Sequence, residues 1–150
     1  MARLLIVHHS PSPNLQSILD AVVAGASDDA IEGVQVLARP ALEATIDDVL
    51  EADGYIVGTS ANIGYISGAV KHFFDTTFDV ASRETTNRPF GYYIHGRSDT
   101  SGAERAMESI TTGLKWRRIA EPLCFLGDPD QAHLEAAYEL GGTVAATLMD

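Results

Sequence analysis

Five short apolar runs, each followed by apolar residues at helical spacing, set the pattern of this chain. Leu4-Leu5-Ile6-Val7 is continuous, with no polar alternation, as suits a strand covered on both faces in a parallel sheet. Leu15, Ile18, Leu19, Val22, Val23 and Ala26 then recur at helical intervals, with Ser12 placed as N-cap and Pro13 at the first helical position. Val34-Gln35-Val36-Leu37 predicts a second strand, and Thr45 caps a short helix over Ile46–Leu50. Asp53-Gly54 turns the chain into a third strand, Tyr55-Ile56-Val57, which opens a loop and then a helix with Val70, Phe73 and Phe74 on one face. The polar, aperiodic stretch from Asp79 to Arg88 reads as a mobile or partner-facing connection. Pro89–Ile94 is the fourth strand, and Ala103, Ala106, Met107, Ile110 and Leu114 mark a fourth helix on which Trp116 is also placed. Glu121–Leu126 is the fifth strand and Asp130–Leu148 the last helix. Gly141-Gly142 inside that helix costs about 1 kcal/mol per glycine relative to alanine, which predicts a close contact with the sheet.

Strand and helix alternate throughout, so the expected fold class is α/β, a three-layer doubly wound five-stranded parallel sheet. Nothing in the pattern marks a boundary, and residues 1–150 read as a single domain. At 150 residues, 45% hydrophobic and 21% charged, the chain can bury one sizeable core. No apolar run approaches the roughly 20 residues a membrane span requires. The apolar run after Met1-Ala2-Arg3 is too short for a signal peptide, so the chain reads as cytoplasmic. A net charge of −11 excludes the basic face that nucleic acid demands. It also leaves any phosphate-bearing ligand to local groups. The lone Cys124 excludes an internal disulfide and, within Leu123-Cys124-Phe125-Leu126, reads as core filler. Lys115, Arg117 and Arg118 read as cations at a helix end, favoured by its dipole.

Candidate chemistry lies in three loops, 8–14, 59–66 and 95–102, after strands one, three and four. In the strand order 2-1-3-4-5 they surround one crevice at the switch point between strands one and three, where open α/β sheets bind ligands. In the first loop, Ser10, Ser12 and the amides opening the helix can cradle an anion at the positive end of the helix dipole. The plainer alternative is an N-cap with a proline start. His8 and His9 point to opposite sides of their strand, a poor chelating pair, and no metal is expected. One of the two is expected to be packed, and His9 to contact the ligand.

Gly58-Thr59-Ser60, then Asn62-Ile63-Gly64-Tyr65-Ile66-Ser67-Gly68, then Phe73-Phe74-Asp75 resemble the second flavin loop of the flavodoxin-like quinone reductases. That family carries a strand ending in GTP/S, then x-x-G-x-x-S-G and a helix with F-x-D. Asn62-Ile63 stand where the family usually has Arg-Phe, and Tyr65 where it has Asn. Ser10-Pro11-Ser12-Pro13-Asn14-Leu15 is similar to the flavodoxin phosphate pattern T/S-x-T-G-x-T, with Pro13 for the glycine and Leu15 for the last threonine. His95-Gly96-Arg97 resembles the third flavin loop.

The resemblance implies the flavodoxin-like fold and an FMN cofactor. His9, Ser10, Ser12, Asn14 and Leu15 would hold its phosphate and ribityl chain. Thr59 would bind from the second loop, and backbone groups of Ser60, Ala61, Asn62, Ile63, Gly64 and Tyr65 would meet the edge of its ring. His95, Gly96 and Arg97 would donate toward the N1–C2=O edge, with Asp99 either beside them or capping the fourth helix. The implied activity is NAD(P)H-dependent reduction of quinones or similar small-molecule acceptors, with no protein catalytic residue because the flavin carries the chemistry. The alternatives are a flavodoxin-type electron carrier and a flavodoxin-like module that has lost FMN. The family further implies a homo-oligomer.

Overall fold

The computed structural model describes residues 1–150. A parallel sheet is built on β1 (Ala2–His8), flanked by β2 (Val34–Pro40) and β3 (Gly54–Asn62). β5 (Pro89–Gly96) lies beyond β3, and β6 (Arg117–Arg118) and β7 (Leu123–Leu126) both pair in parallel with β5. A two-residue β4 (Tyr65–Ile66) folds back antiparallel on β3. The expected order 2-1-3-4-5 is therefore present: β7 is the expected fifth strand, starting at Leu123, and the two-residue β6 ahead of it pairs with β5 as well.

Alternation along β1 sends Leu5 and Val7 to one face and Leu4 and Ile6 to the other. The first pair joins a core closed by α2 (Ile46–Glu51), α3 (Gly68–Glu84) and α4 (Ser101–Leu114). The second joins a core closed by α1 (Pro13–Ala26) and α5 (Gln131–Thr147). Both faces of the strand are thus dry, as its unbroken apolar sequence requires. Ser12 caps α1 by accepting from the Leu15 N–H at 3.2 Å, and Thr45 and Asp48 form a capping box on α2.

Five expectations change here. α3 does not give way to a connection at Asp79 but runs to Glu84, because Thr77 and Ala81 continue its buried face while Asp79 and Arg83 pair across one turn at 2.9 Å outside. The polar appearance of 79–84 is therefore the solvent side of a helix. Trp116 lies beyond α4, past the left-handed Lys115 (φ 61°), and is buried. Its ring stacks on Tyr55 with centroids 4.1 Å apart, and its Nε1–H donates to Thr85 Oγ1 at 2.8 Å. Arg117 and Arg118 are strand residues, not helix-end cations, and Arg118 pairs with Glu108. Cys124 is exposed, since β7 has a neighbour on one side only. Gly141 meets not the sheet but α1: a methyl there would lie 2.0 Å from the Val22 carbonyl oxygen.

No helix is long and apolar enough to cross a membrane.

Candidate functional site

β3 outruns its apolar core by several residues. Thr59 and Ser60 remain buried and paired with Ile94 and His95 of β5, and the strand ends at Asn62. The chain then reverses through Ile63 (φ 49°) and Gly64 (φ 76°) into β4. Two central residues with positive φ give the tight turn that matches the twist of the paired strands. The region read as a loop at 59–66 is thus a β-hairpin. Its tip rests on α4, where a methyl on Gly102 would lie 1.9 Å from the Gly64 carbonyl oxygen.

At the carboxyl ends of β1, β3 and β5 a cleft of about 580 Å³ opens. Pro11, Ser12, Asn14 and Leu15 form its first wall, Ser60, Ala61 and Asn62 its second, and His95, Gly96 and Arg97 its third. The three expected loops therefore converge. Of their nominated residues, seven lie outside the wall. His9 gives its N–H to the Gly58 carbonyl at 3.0 Å. Ser10 Oγ is engaged by His8 Nδ1 at 2.9 Å. Thr59 Oγ1 donates to the Ser60 carbonyl at 2.9 Å and accepts from Ser67 N–H at 3.0 Å. Ile63, Gly64 and Tyr65 occupy the hairpin tip, and Ile63 is fully exposed. Asp99 holds the start of α4, accepting from the Ser101 N–H at 3.0 Å and its hydroxyl at 2.9 Å. Those bonds, the backbone one foremost, keep the Asp99 carboxyl below its ordinary range. Asp99 thus serves the turn into α4 and not the cleft wall, while Thr100, the N-cap residue, makes no side-chain capping bond.

A fourth wall, Gly127 and Asp128, escaped the sequence reading. Gly127 N–H donates to the Gly96 carbonyl at 3.0 Å, and the Gly127 carbonyl accepts from His95 Nε2 at 2.7 Å. His95 therefore carries its proton on Nε2 there, and its Nδ1 has no partner in the protein. Asn14 Nδ2 donates to Asp128 Oδ1 at 3.1 Å. Gly127-Asp128-Pro129-Asp130 is a turn-former cluster at a strand end, the signal that could have found this wall.

The donors in the first wall are sparse but free. Pro11 has no N–H, while those of Ser12 and Asn14 make no hydrogen bond within the protein; the Ser10 N–H just outside the wall is free as well. In the second wall the Ser60 hydroxyl is buried and has no partner. Burial, then the neighbouring His9, hold the His8 imidazole below its ordinary pKa, so it is a neutral packing group. No three His, Cys, Asp or Glu side chains gather to hold a metal ion.

No known family's sequence profile matches the chain. A flavodoxin of Aquifex aeolicus (strain VF5) is 36% identical over 75 residues, which take in 50% of this chain and 40% of that protein's length. A flavodoxin from the domain Archaea superposes with a TM-score of 0.84 at 17% identity, over 97% of this chain and 98% of that one. The rubredoxin oxygen:oxidoreductase of Desulfovibrio gigas superposes with a TM-score of 0.83 at 16% identity, over 97% of this chain and 36% of the larger one.

Proposed function

We propose that this chain, which has the flavodoxin-like fold, binds FMN in the cleft and serves as an electron carrier. The observation that carries the reading is the Ser60 hydroxyl, buried without a partner in the cleft wall. A buried hydroxyl left unpaired costs about 1–3 kcal/mol, which a ligand's polar ring edge would recover. The free amides of Ser12 and Asn14 at the positive end of α1 suit a phosphate. The cleft volume falls within the range of about 300–1,000 Å³ usual for small-molecule sites. Similarity to the Aquifex flavodoxin puts the carrier ahead of the quinone reductase that the loop motifs suggest.

Bound flavin would supply the redox chemistry. The chain's part is to hold and bias it. Ser60 and the second-wall backbone would take the ring edge, and Ser12 Oγ–H the phosphate end. His95 Nδ1 would present an acceptor, with the ring fixed in place by the Gly127 carbonyl. Arg97, which pairs with no acid, would stabilise negative charge gathered on the ring.

A second reading, the NAD(P)H-dependent reductase, has its own support. Trp116, Tyr92 and Tyr93 are all buried in the cores, so only Tyr65, 41% exposed on the hairpin, could flank a flavin ring. One ring face would then stand open to a nicotinamide or quinone.

Titration with FMN, followed by absorbance and flavin fluorescence, tests the shared premise. No affinity tighter than millimolar would end both readings. For the loaded protein, well-separated one-electron midpoint potentials and no oxidation of NADH or NADPH are expected of a carrier. Steady turnover of either nucleotide with a quinone would instead select the reductase.

A further inference from the structure

Asp128 is the one carboxylate in the cleft wall, and it stands at the end lined by the free amides of α1. Its link to Asn14, at 3.1 Å, joins residues 114 positions apart. The backbone before it is pinned on both sides of Gly127, by the Gly96 carbonyl and by His95. The carboxylate, exposed on the fourth wall, is thereby tied to the first wall through Asn14. The wall's only cation, Arg97, belongs to the segment after β5, and no lysine or arginine lines the first loop. A dianion docked on the Asn14 N–H would lie beside a carboxylate that the same residue's side chain holds. A neutral polyol docked there meets an acceptor for its hydroxyls instead.

We infer that Asp128 determines specificity at the first wall: its charge, held by Asn14, weakens the grip on a ligand's phosphate, so the cleft takes riboflavin nearly as well as FMN. The inference rests on the flavin reading of the cleft. Repulsion between like charges scales with the ligand's charge, so it acts on the phosphorylated ligand and spares the uncharged one.

The test is to titrate the full chain, Asp128→Asn and Asp128→Glu with FMN and with riboflavin, following flavin fluorescence at fixed ionic strength. The amide in Asp128→Asn can still accept from Asn14, so the link survives while the charge goes. For the parent, the two affinities should lie within about tenfold of each other. In Asp128→Asn, FMN affinity should rise about five- to tenfold, with riboflavin affinity unchanged within about twofold. Asp128→Glu should keep the parent's ratio. An FMN-to-riboflavin ratio that does not move in Asp128→Asn, or a parent that prefers FMN by more than about a hundredfold, overturns the inference while leaving the flavin reading intact. Binding of neither flavin by any of the three proteins overturns both.

Discussion

The carbonyl oxygen of Gly64 lies so close to Gly102 that a single methyl on Gly102 would sit 1.9 Å from it. A backbone contact of this kind cannot yield by side-chain rotation. Gly102→Ala should therefore lift the β3–β4 hairpin away from α4 and distort the second wall. Flavin affinity should fall at least about tenfold, or 1.4 kcal/mol, measured by FMN fluorescence titration. Gly64→Val meets no neighbour in the protein but must adopt φ 76°, a strain of about 1–3 kcal/mol. It should weaken FMN at least as much. Unchanged affinity in both folded variants would show that the hairpin does not shape the site.

Ile63 precedes it in the same turn, at φ 49° and fully exposed. A β-branched residue there is strained by about 1–2 kcal/mol and packs on nothing in the chain. Ile63→Asn should raise the urea midpoint by the equivalent of about 1 kcal/mol. A midpoint that falls instead would mean the isoleucine makes contacts that outweigh the strain.

Arg88 closes the end of α2. Its guanidinium donates to the carbonyls of Leu50 at 2.9 Å and Ala52 at 2.7 Å. Arg88→Met should cost about 2–3 kcal/mol in urea unfolding, because the carbonyls lose a charged donor. Arg88→Lys should recover less than half, since one ammonium cannot serve these carbonyls and also the Glu84 carbonyl that Nη2 meets at 3.3 Å.

His8 sets a pH dependence. Burial lowers its folded pKa below 6.5, so the unfolded chain takes up the proton more readily. The favourable contribution is complete above pH 6.5 and is lost as pH falls through that value toward the folded pKa. Urea midpoints measured from pH 8 to 5 should decline for the parent, and less steeply for His8→Gln. Equal slopes would assign the dependence to other groups.

Cys124 is exposed, yet burial of part of its thiol, together with the nearby Glu104, pushes its pKa up to about 11. Alkylation by iodoacetamide should be slow at pH 7 and accelerate about tenfold per pH unit up to pH 10. A rate that levels off near pH 9 would contradict the raised pKa.

Much of this fold could be read before any coordinates. The Ser12-Pro13 start of α1 and the unbroken apolar β1 carry their own local signals. Three walls of the cleft followed from strand ends and turn formers. The missing parts depend on contacts distant in sequence. Gly127 becomes part of the cleft only because β7 pairs with β5 and brings it beside Gly96. Trp116 leaves α4 at Lys115, a left-handed position occupied by lysine, where no glycine announces the stop. Thr59 and Ser60 look alike in sequence, yet one hydroxyl is satisfied internally and the other is not. That difference is made by the depth of each on β3 and by Ser67.

α1 and α5 touch backbone to backbone. A methyl on Gly25 would lie 1.8 Å from the Tyr138 carbonyl oxygen, and Gly141 presses on Val22 in the same way. One of these helices begins right after the first wall of the cleft, the other right after the fourth. The two walls are thus the ends of one stiff jaw, with no side chains between the helices at those points to act as a bearing. The hairpin and α4 make the opposite jaw, packed together through Ile66, Ala103 and Met107 as well as at the Gly64–Gly102 approach. A partner seated on the exposed tip of the hairpin, at Ile63 and Tyr65, would therefore touch the site from the side opposite the paired helices.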